Sequence, residues 1–430
     1  MKIVPWLCVA VSLCVLMGCQ QSSSENTKST SAVQKRDEKS DKQTNITKPT
    51  PEDRRAAESA EEKPARASSG KVTLLRTLDK GIQPQTVVDA KGVVHMIYFT
   101  GEPGHGDIFY VRSDDGEKFS RPLRVNSHAG SAIAIGNIRG AHLAVGKGGR
   151  VHVGWMGSDK AEPRGPSKDT PMLYARLNDA GDTFEPQRNV IRKAYGLDGG
   201  GSLAADESGN VYVTWHAPEP KMRGEENRCV WVAHSADNGK TFAPETRANV
   251  DSTGACGCCG MRGFADKKGT VYVLYRSASQ VVHRDIYLLV STDKGSSFRG
   301  EKVHPWDVAT CPMSSMAFTE ARAGTVAAWE TNGQVYCARL DPSSGKPTSP
   351  LAAPGKGKGR KHPVVAANAA GETILVWTEG MGWNRGGSLA WQVFDKAGKP
   401  TEKRGTAEGV PTWSLAAVYT RADGGFTIVY

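Results

Sequence analysis

Four copies of a short turn pattern, D-x-G-x-x-F, constrain this chain more than any other feature. Their fixed positions are Asp114, Gly116 and Phe119; Asp179, Gly181 and Phe184; Asp237, Gly239 and Phe242; and Asp293, Gly295 and Phe298. The aspartates are spaced 65, 58 and 56 residues apart (114 to 179, 179 to 237, 237 to 293). A period of that size marks an array of similar supersecondary units. The pattern has a local physical logic. An aspartate carboxylate accepts hydrogen bonds from nearby backbone N–H groups, glycine supplies positive φ, and phenylalanine pins the turn to the apolar layer beneath. Such a device closes a hairpin and performs no chemistry.

A second element recurs seven times: a strand of alternating apolar residues that ends in an aromatic. The copies are Val93–Phe99, Arg150–Trp155, Asn210–Trp215, Thr270–Tyr275, Thr325–Trp329, Glu372–Trp377 and Gly425–Tyr430. Each follows a glycine-containing turn, and ahead of that turn lies another short apolar strand, such as Gly201–Ala205 or His142–Val145. Period-2 alternation bounded by Gly and Asp reads as half-buried antiparallel strands. Four strands in each unit of ~50–60 residues, repeated, describe an all-β chain built as a β-propeller of four-stranded antiparallel blades. Seven blades are expected and six are the alternative. The last copy ends the chain after its second strand, and Lys71–Leu78 is an orphan strand that would complete that blade and remove its exposed edge.

The last two turns extend to S-x-D-x-G-x-x-F with Ser235 and Ser291. This form resembles the Asp-box, or BNR repeat, of the sialidase-like propeller superfamily, over roughly residues 82–304, with degenerate units continuing to Tyr430. The resemblance implies the fold. It does not imply one activity, because the box sits at the blade periphery in proteins of many functions.

The chain opens with Met1-Lys2, an apolar run from Ile3 to Met17, and then Leu16-Met17-Gly18-Cys19. A basic start with a short apolar core reads as a signal peptide over residues 1–18. The last four residues resemble the lipobox of bacterial lipoproteins, which implies lipidation of Cys19. Gln20 after it leans toward the outer membrane, so the expected location is the cell envelope, facing periplasm or exterior. Residues 19–70 hold almost no bulky apolar side chain and are expected to form a disordered tether, with a reach of about 40 Å as a flexible coil. Residues 71–430 then form the propeller. The net charge is +10. Export makes nucleic acid an unsuitable partner and points the surplus toward anionic glycans or envelope surfaces. The densest basic run, residues 355–361, reads as a solvated loop, or alternatively as a contact for sulfate or carboxylate groups.

Cysteine is the anomaly. Cys256, Cys258 and Cys259 directly precede one inner strand, and Cys311 directly precedes the next. Inner strands all run the same way, so the four sulfurs are expected together at one mouth of the central channel. They read either as disulfides in an exported protein or as thiolate ligands of a soft metal, Cu or Zn. Met261, Met313, His142 and His362 occupy comparable strand starts. Cys229 and Cys337 lie on later strands and are not expected to pair.

Sialidases resemble one another in an arginine triad for the substrate carboxylate, a Tyr–Glu nucleophile pair and an aspartate acid/base. Their R-I-P motif is absent here. The nearest positions are Arg139 and Arg262, with Arg360 as a third in the basic loop and Tyr195 as the conceivable nucleophile. Three readings therefore stand. The first is a membrane-anchored propeller that binds a glycan or other anionic ligand at the channel mouth through Arg139, His142 and Arg262. The second is a divergent exo-sialidase-type hydrolase. The third is a cysteine-based metal or redox module.

Overall fold

The computed structural model describes residues 66–69, 72–249, 252–341, 344–357 and 359–430. The signal peptide, Cys19 and residues 19–65 of the expected tether lie outside these. All described residues belong to one compact unit, Lys63–Tyr430.

Seven four-stranded sheets form the blades of a propeller. In chain order the innermost strands are Ile82–Val88, His142–Gly146, Gly201–Ala205, Arg262–Ala265, Ala317–Ala321, Lys361–Ala367 and Ala417–Thr420. Each packs against the innermost strands of its neighbours, which closes a ring around a central channel. The second strands are Val94–Glu102, Arg150–Met156, Val211–Pro218, Val271–Arg276, Gly324–Thr331, Thr373–Glu379 and Phe426–Val429. They coincide with the seven copies read from the sequence and hold its largest buried rings, including Trp155, Trp215 and Trp329. Among the described residues the helices are three short 3-10 turns.

Ring closure follows the expectation for the orphan strand, with two differences. Val72–Leu75 docks on Phe426–Val429 in parallel, Val72 facing Phe426 and Leu75 facing Val429. A chain returning from the far end of the molecule has no hairpin to force an antiparallel approach. Thr77 N–H also donates to the Tyr430 carbonyl at 2.9 Å, and Tyr430 N–H to the Leu75 carbonyl at 3.0 Å. In addition, Arg66–Ser69, assigned from composition to the tether, forms the outermost strand of this blade. An edge strand needs only backbone pairing, so composition does not exclude it.

The peripheral turns divide into two kinds. In the third blade Ser235 Oγ donates to Asp237 Oδ1 (2.7 Å), and the N–H groups of Thr241 and Gly239 donate to Asp237 Oδ1 (2.8 Å) and Ser235 Oγ (2.9 Å). The fourth blade repeats this with Ser291, Asp293, Gly295 and Ser297. In the first blade the carboxylate at work is Asp115, not Asp114. It accepts from Ser113 Oγ and from the N–H groups of Glu117 and Lys118. In the second blade Asn178 accepts from Gly181 N–H at 2.8 Å, while Asp179 is exposed and paired with Arg150. One residue of drift reassigns the role because any short side chain with an acceptor oxygen can close the turn. The phenylalanines do pin the turns. Phe184 and Phe242 stand edge-on to Tyr110 and Tyr174 of the preceding blades, with centroids 5.6 and 4.9 Å apart. Gly239 is obligatory twice over, since its φ is +77° and a Cβ there would strike the Tyr174 hydroxyl.

Candidate functional site

Strand polarity brings the starts of all inner strands to one mouth of the channel, and the loop before the second inner strand lies across it. From the first blade Gln83 Nε2 donates to the Ala134 carbonyl of this loop (2.6 Å). The loop's Asn137 Nδ2 reaches the Ser414 carbonyl of the seventh blade (2.7 Å). Its Arg139 reaches Asp198 before the third, through Nε to the carbonyl (2.7 Å) and through a terminal nitrogen to Oδ1 (3.0 Å). Ile138, 5% exposed, packs beneath it close to Gly260. The mouth is therefore plugged, and Arg139 helps to hold the plug. Arg228 pairs with the other carboxylate oxygen of Asp198 at 3.3 Å. Burial works against an ionised Asp198, but Arg139 and Arg228 hold it below the usual carboxylate value.

Under the plug lies a cavity of about 80 Å³, lined by Gln83, Gln85, His142, Met261, Arg262 and the apolar starts of the later inner strands. Arg262 enters it from the fourth blade. One guanidinium nitrogen donates to Gln85 Oε1 (2.7 Å) and to His142 Nδ1 (2.8 Å). Because arginine only donates, His142 Nδ1 must accept, which places its proton on Nε2. Burial, followed by the Arg262 charge, holds His142 well below the usual imidazole value. Arg262 makes no ion pair among the described residues, and desolvation alone pulls it down to about 10. It remains a cation at neutral pH.

The other anticipated residues separate. Arg360, read as part of a solvated loop, is 4% exposed and bonds Glu379 Oε1 and the carbonyls of Ala353 and Pro354, each at 3.0 Å. Its backbone lies near a basic surface, but the fork is consumed internally. The Tyr195 hydroxyl donates to the Ile191 carbonyl at 3.0 Å, and burial raises its pKa, the wrong direction for a nucleophile. Two of the three candidate arginines are thus tied to carboxylates, and only Arg262 faces the cavity unpaired.

Cys256, Cys258 and Cys259 do cluster, their sulfurs lying within 4.8 Å of one another. Cys311 does not join them. It is exposed, and no disulfide links any of the six described cysteines. The approach to the fifth inner strand runs through Pro312 and through Met313 at φ +48°, which separates position 311 from the strand start that the alignment matched. Sequence reasoning missed two participants. His216, at the mouth end of a second strand, is 1% exposed with both ring nitrogens lacking a partner. The pair Arg276–Glu330 beneath the cysteine loop (3.0 Å) is 1% exposed on each side. A histidine directly after the strand-ending Trp215 was the available signal for the first.

No known protein-family profile matches the chain, and no curated protein does. Solved structures of similar shape include a protein of unknown function from Dyadobacter fermentans (14% identity, 70% of this chain and 90% of that one, TM-score 0.48). They also include the Penicillium chrysogenum α-L-arabinanase complexed with arabinobiose (13%, 78% and 98%, 0.48). A third is the intramolecular trans-sialidase of Ruminococcus gnavus in complex with oseltamivir carboxylate (10%, 69% and 89%, 0.44). Likeness at this level carries no functional argument, and the fold rests on the sheet topology of the chain itself.

Proposed function

We propose that this protein is an envelope-anchored propeller that binds a small anionic ligand in its central channel. The observation that carries this reading is Arg262, a part-buried guanidinium with two neutral acceptors and no carboxylate. An uncompensated charge is costly to bury, so an anion entering the cavity supplies the missing counter-charge. A carboxylate matches the guanidinium fork by bidentate pairing. The cavity has room for several ordered waters or one small organic anion, which favours a free carboxylate over a chain of sugars. His142, held neutral with Nε2–H, adds a donor, and the plug excludes bulk water that would screen the pair.

Titration calorimetry with formate, acetate, lactate and N-acetylneuraminate tests this. Binding of the smaller carboxylates is expected, weakened at least tenfold in Arg262→Gln. In the absence of ligand, Arg262→Gln is expected to unfold no earlier than the parent, because it removes an unpaired, part-buried charge. No binding by any of the four overturns the proposal. Turnover of a chromogenic sialoside that is lost in Arg139→Ala would replace it with the hydrolase reading. The anchor is tested separately, by the mass of the N-terminal peptide, which should carry a diacylated Cys19.

A further inference from the structure

The loop before the fourth inner strand gathers three thiols in a compact turn. Cys256 and Cys258 sulfurs lie 3.3 Å apart, and Cys259 N–H closes the turn on the Cys256 carbonyl at 3.4 Å. Three separate elements hold the loop. Cys256 N–H donates to the Arg276 carbonyl (2.9 Å), Gly257 N–H to Glu225 Oε1 (2.7 Å) and Gly260 N–H to the Ser314 carbonyl (3.0 Å). A Cβ at position 257 would displace the Arg228 guanidinium and the Asp198 carboxylate that pack against this loop. The arrangement is therefore set before any ligand arrives.

No disulfide links these sulfurs. Three is an odd number, Cys258 and Cys259 are adjacent in the chain, and Cys311 stands outside the group. Cys256 and Cys259 are each 2% exposed, whereas Cys258 is half-buried and reachable from solvent. Three ion pairs surround the loop: Arg276 with Glu330 (3.0 Å), Arg284 with Glu225 (2.8 Å) and Arg228 with Asp198 (3.3 Å), the last carboxylate being shared with Arg139.

A second observation points the same way. His216 stands near this loop: its Nε2 is 2.8 Å from where a Cβ on Gly199 would sit, a point against which the Gly257 carbonyl also packs, although its ring nitrogens are not within 4.8 Å of all three sulfurs. Both ring nitrogens are buried without a partner. Buried imidazoles are normally hydrogen-bonded. A side-chain rotation that brings one His216 nitrogen onto a metal at the sulfurs would complete a tetrahedral S₃N site.

We propose that Cys256, Cys258 and Cys259 bind one thiophilic metal ion, Zn²⁺ or Cu(I), with His216 as its fourth donor. Binding involves no redox step. The thiol protons pass to solvent as each sulfur coordinates, and the metal supplies positive charge at the thiolates themselves. The site adjoins the anion cavity, which Gly260, Met261 and Arg262 line.

The test uses the full-length protein, reduced and stripped of metal. Zn²⁺ is titrated against a chromogenic chelator, and Cu(I) against a Cu(I)-specific chelator under reductant, so the two arms identify the ion. One equivalent is expected in at least one arm. Cys258→Ser, chosen because that side chain is partly exposed, should weaken binding by more than the roughly 10–100-fold typical of losing an outer partner. His216→Ala should weaken it by roughly 10–100-fold, and Cys311→Ser should leave it unchanged. Thermal unfolding of each variant checks that it is folded. Failure of the reduced protein to bind either ion overturns the site, as does unaltered binding in folded Cys258→Ser. Unaltered binding in His216→Ala overturns the four-donor assignment.

Discussion

The rim of this propeller and its mouth are built from the same strands, yet they treat polar groups in opposite ways. At the rim, each turn carries an acceptor matched to the N–H groups beside it. Asp237 and Asp293 are each held to about 2 chiefly by such bonds, against the pull of what burial they have. When the aspartate drifts by one residue, Asp115 or Asn178 takes over and the turn still closes. At the mouth, Arg262 is an unpaired cation, His216 is an unpartnered imidazole, and three thiols share one turn. Redundancy at the rim signals a structural task that several side chains can perform. Unmet valence at the mouth signals a task that something outside the chain completes.

Sharpening this contrast begins with the largest effect. Glu330→Gln should strand the Arg276 charge in the floor of the mouth and cost about 3–5 kcal/mol, read by denaturant unfolding. A loss below 1 kcal/mol would mean that the mouth tolerates unpaired charge by solvation, and Arg262 would cease to be informative.

Next comes acid. His142, His152, His216 and His362 are buried, and burial holds all four below the usual imidazole value, the last three to about 3. Unfolded, each gains a proton near pH 6.5; folded, each stays neutral. The stability they contribute is therefore present above pH 6.5 and is lost as pH falls from there toward 3. Each histidine accounts for up to about 1.4 kcal/mol per pH unit. Melting should drop between pH 7.5 and 5, mostly through the mouth, where three of the four reside. An unchanged melting temperature would contradict their burial.

The smallest effects belong to the rim. Asp237→Ala, which removes a carboxylate accepting from Ser235 and Thr241, should cost roughly 1–2 kcal/mol. In the second blade the order reverses along the chain: Asn178→Ala should cost about 1 kcal/mol, and Asp179→Ala, at an exposed side chain, clearly less. Equal losses at 178 and 179 would show that the motif aspartate matters as such, and not the acceptor that meets the N–H groups.

Periodicity was sufficient for the architecture. The spacing of the turns and the seven aromatic-ended strands point to seven blades over six, to the second strands and to a closing strand within Lys71–Leu78, because alternation and turn chemistry are local properties of the chain. The grouping of Cys256, Cys258 and Cys259 was equally legible, since they lie within four residues. What depended on loops from different blades was not. The expectation that Cys311 joins the cluster failed because aligning strand starts says nothing of the path before them. Arg139 and Arg262 look alike in sequence, but Asp198 from another blade ties the first and leaves the second alone. His216 was marked in the sequence only by its place after Trp215, because a lack of hydrogen-bond partners is a property of surroundings. Local rules thus determined the frame, while the ring, by bringing distant loops to one mouth, decided which side chains there are satisfied and which are not.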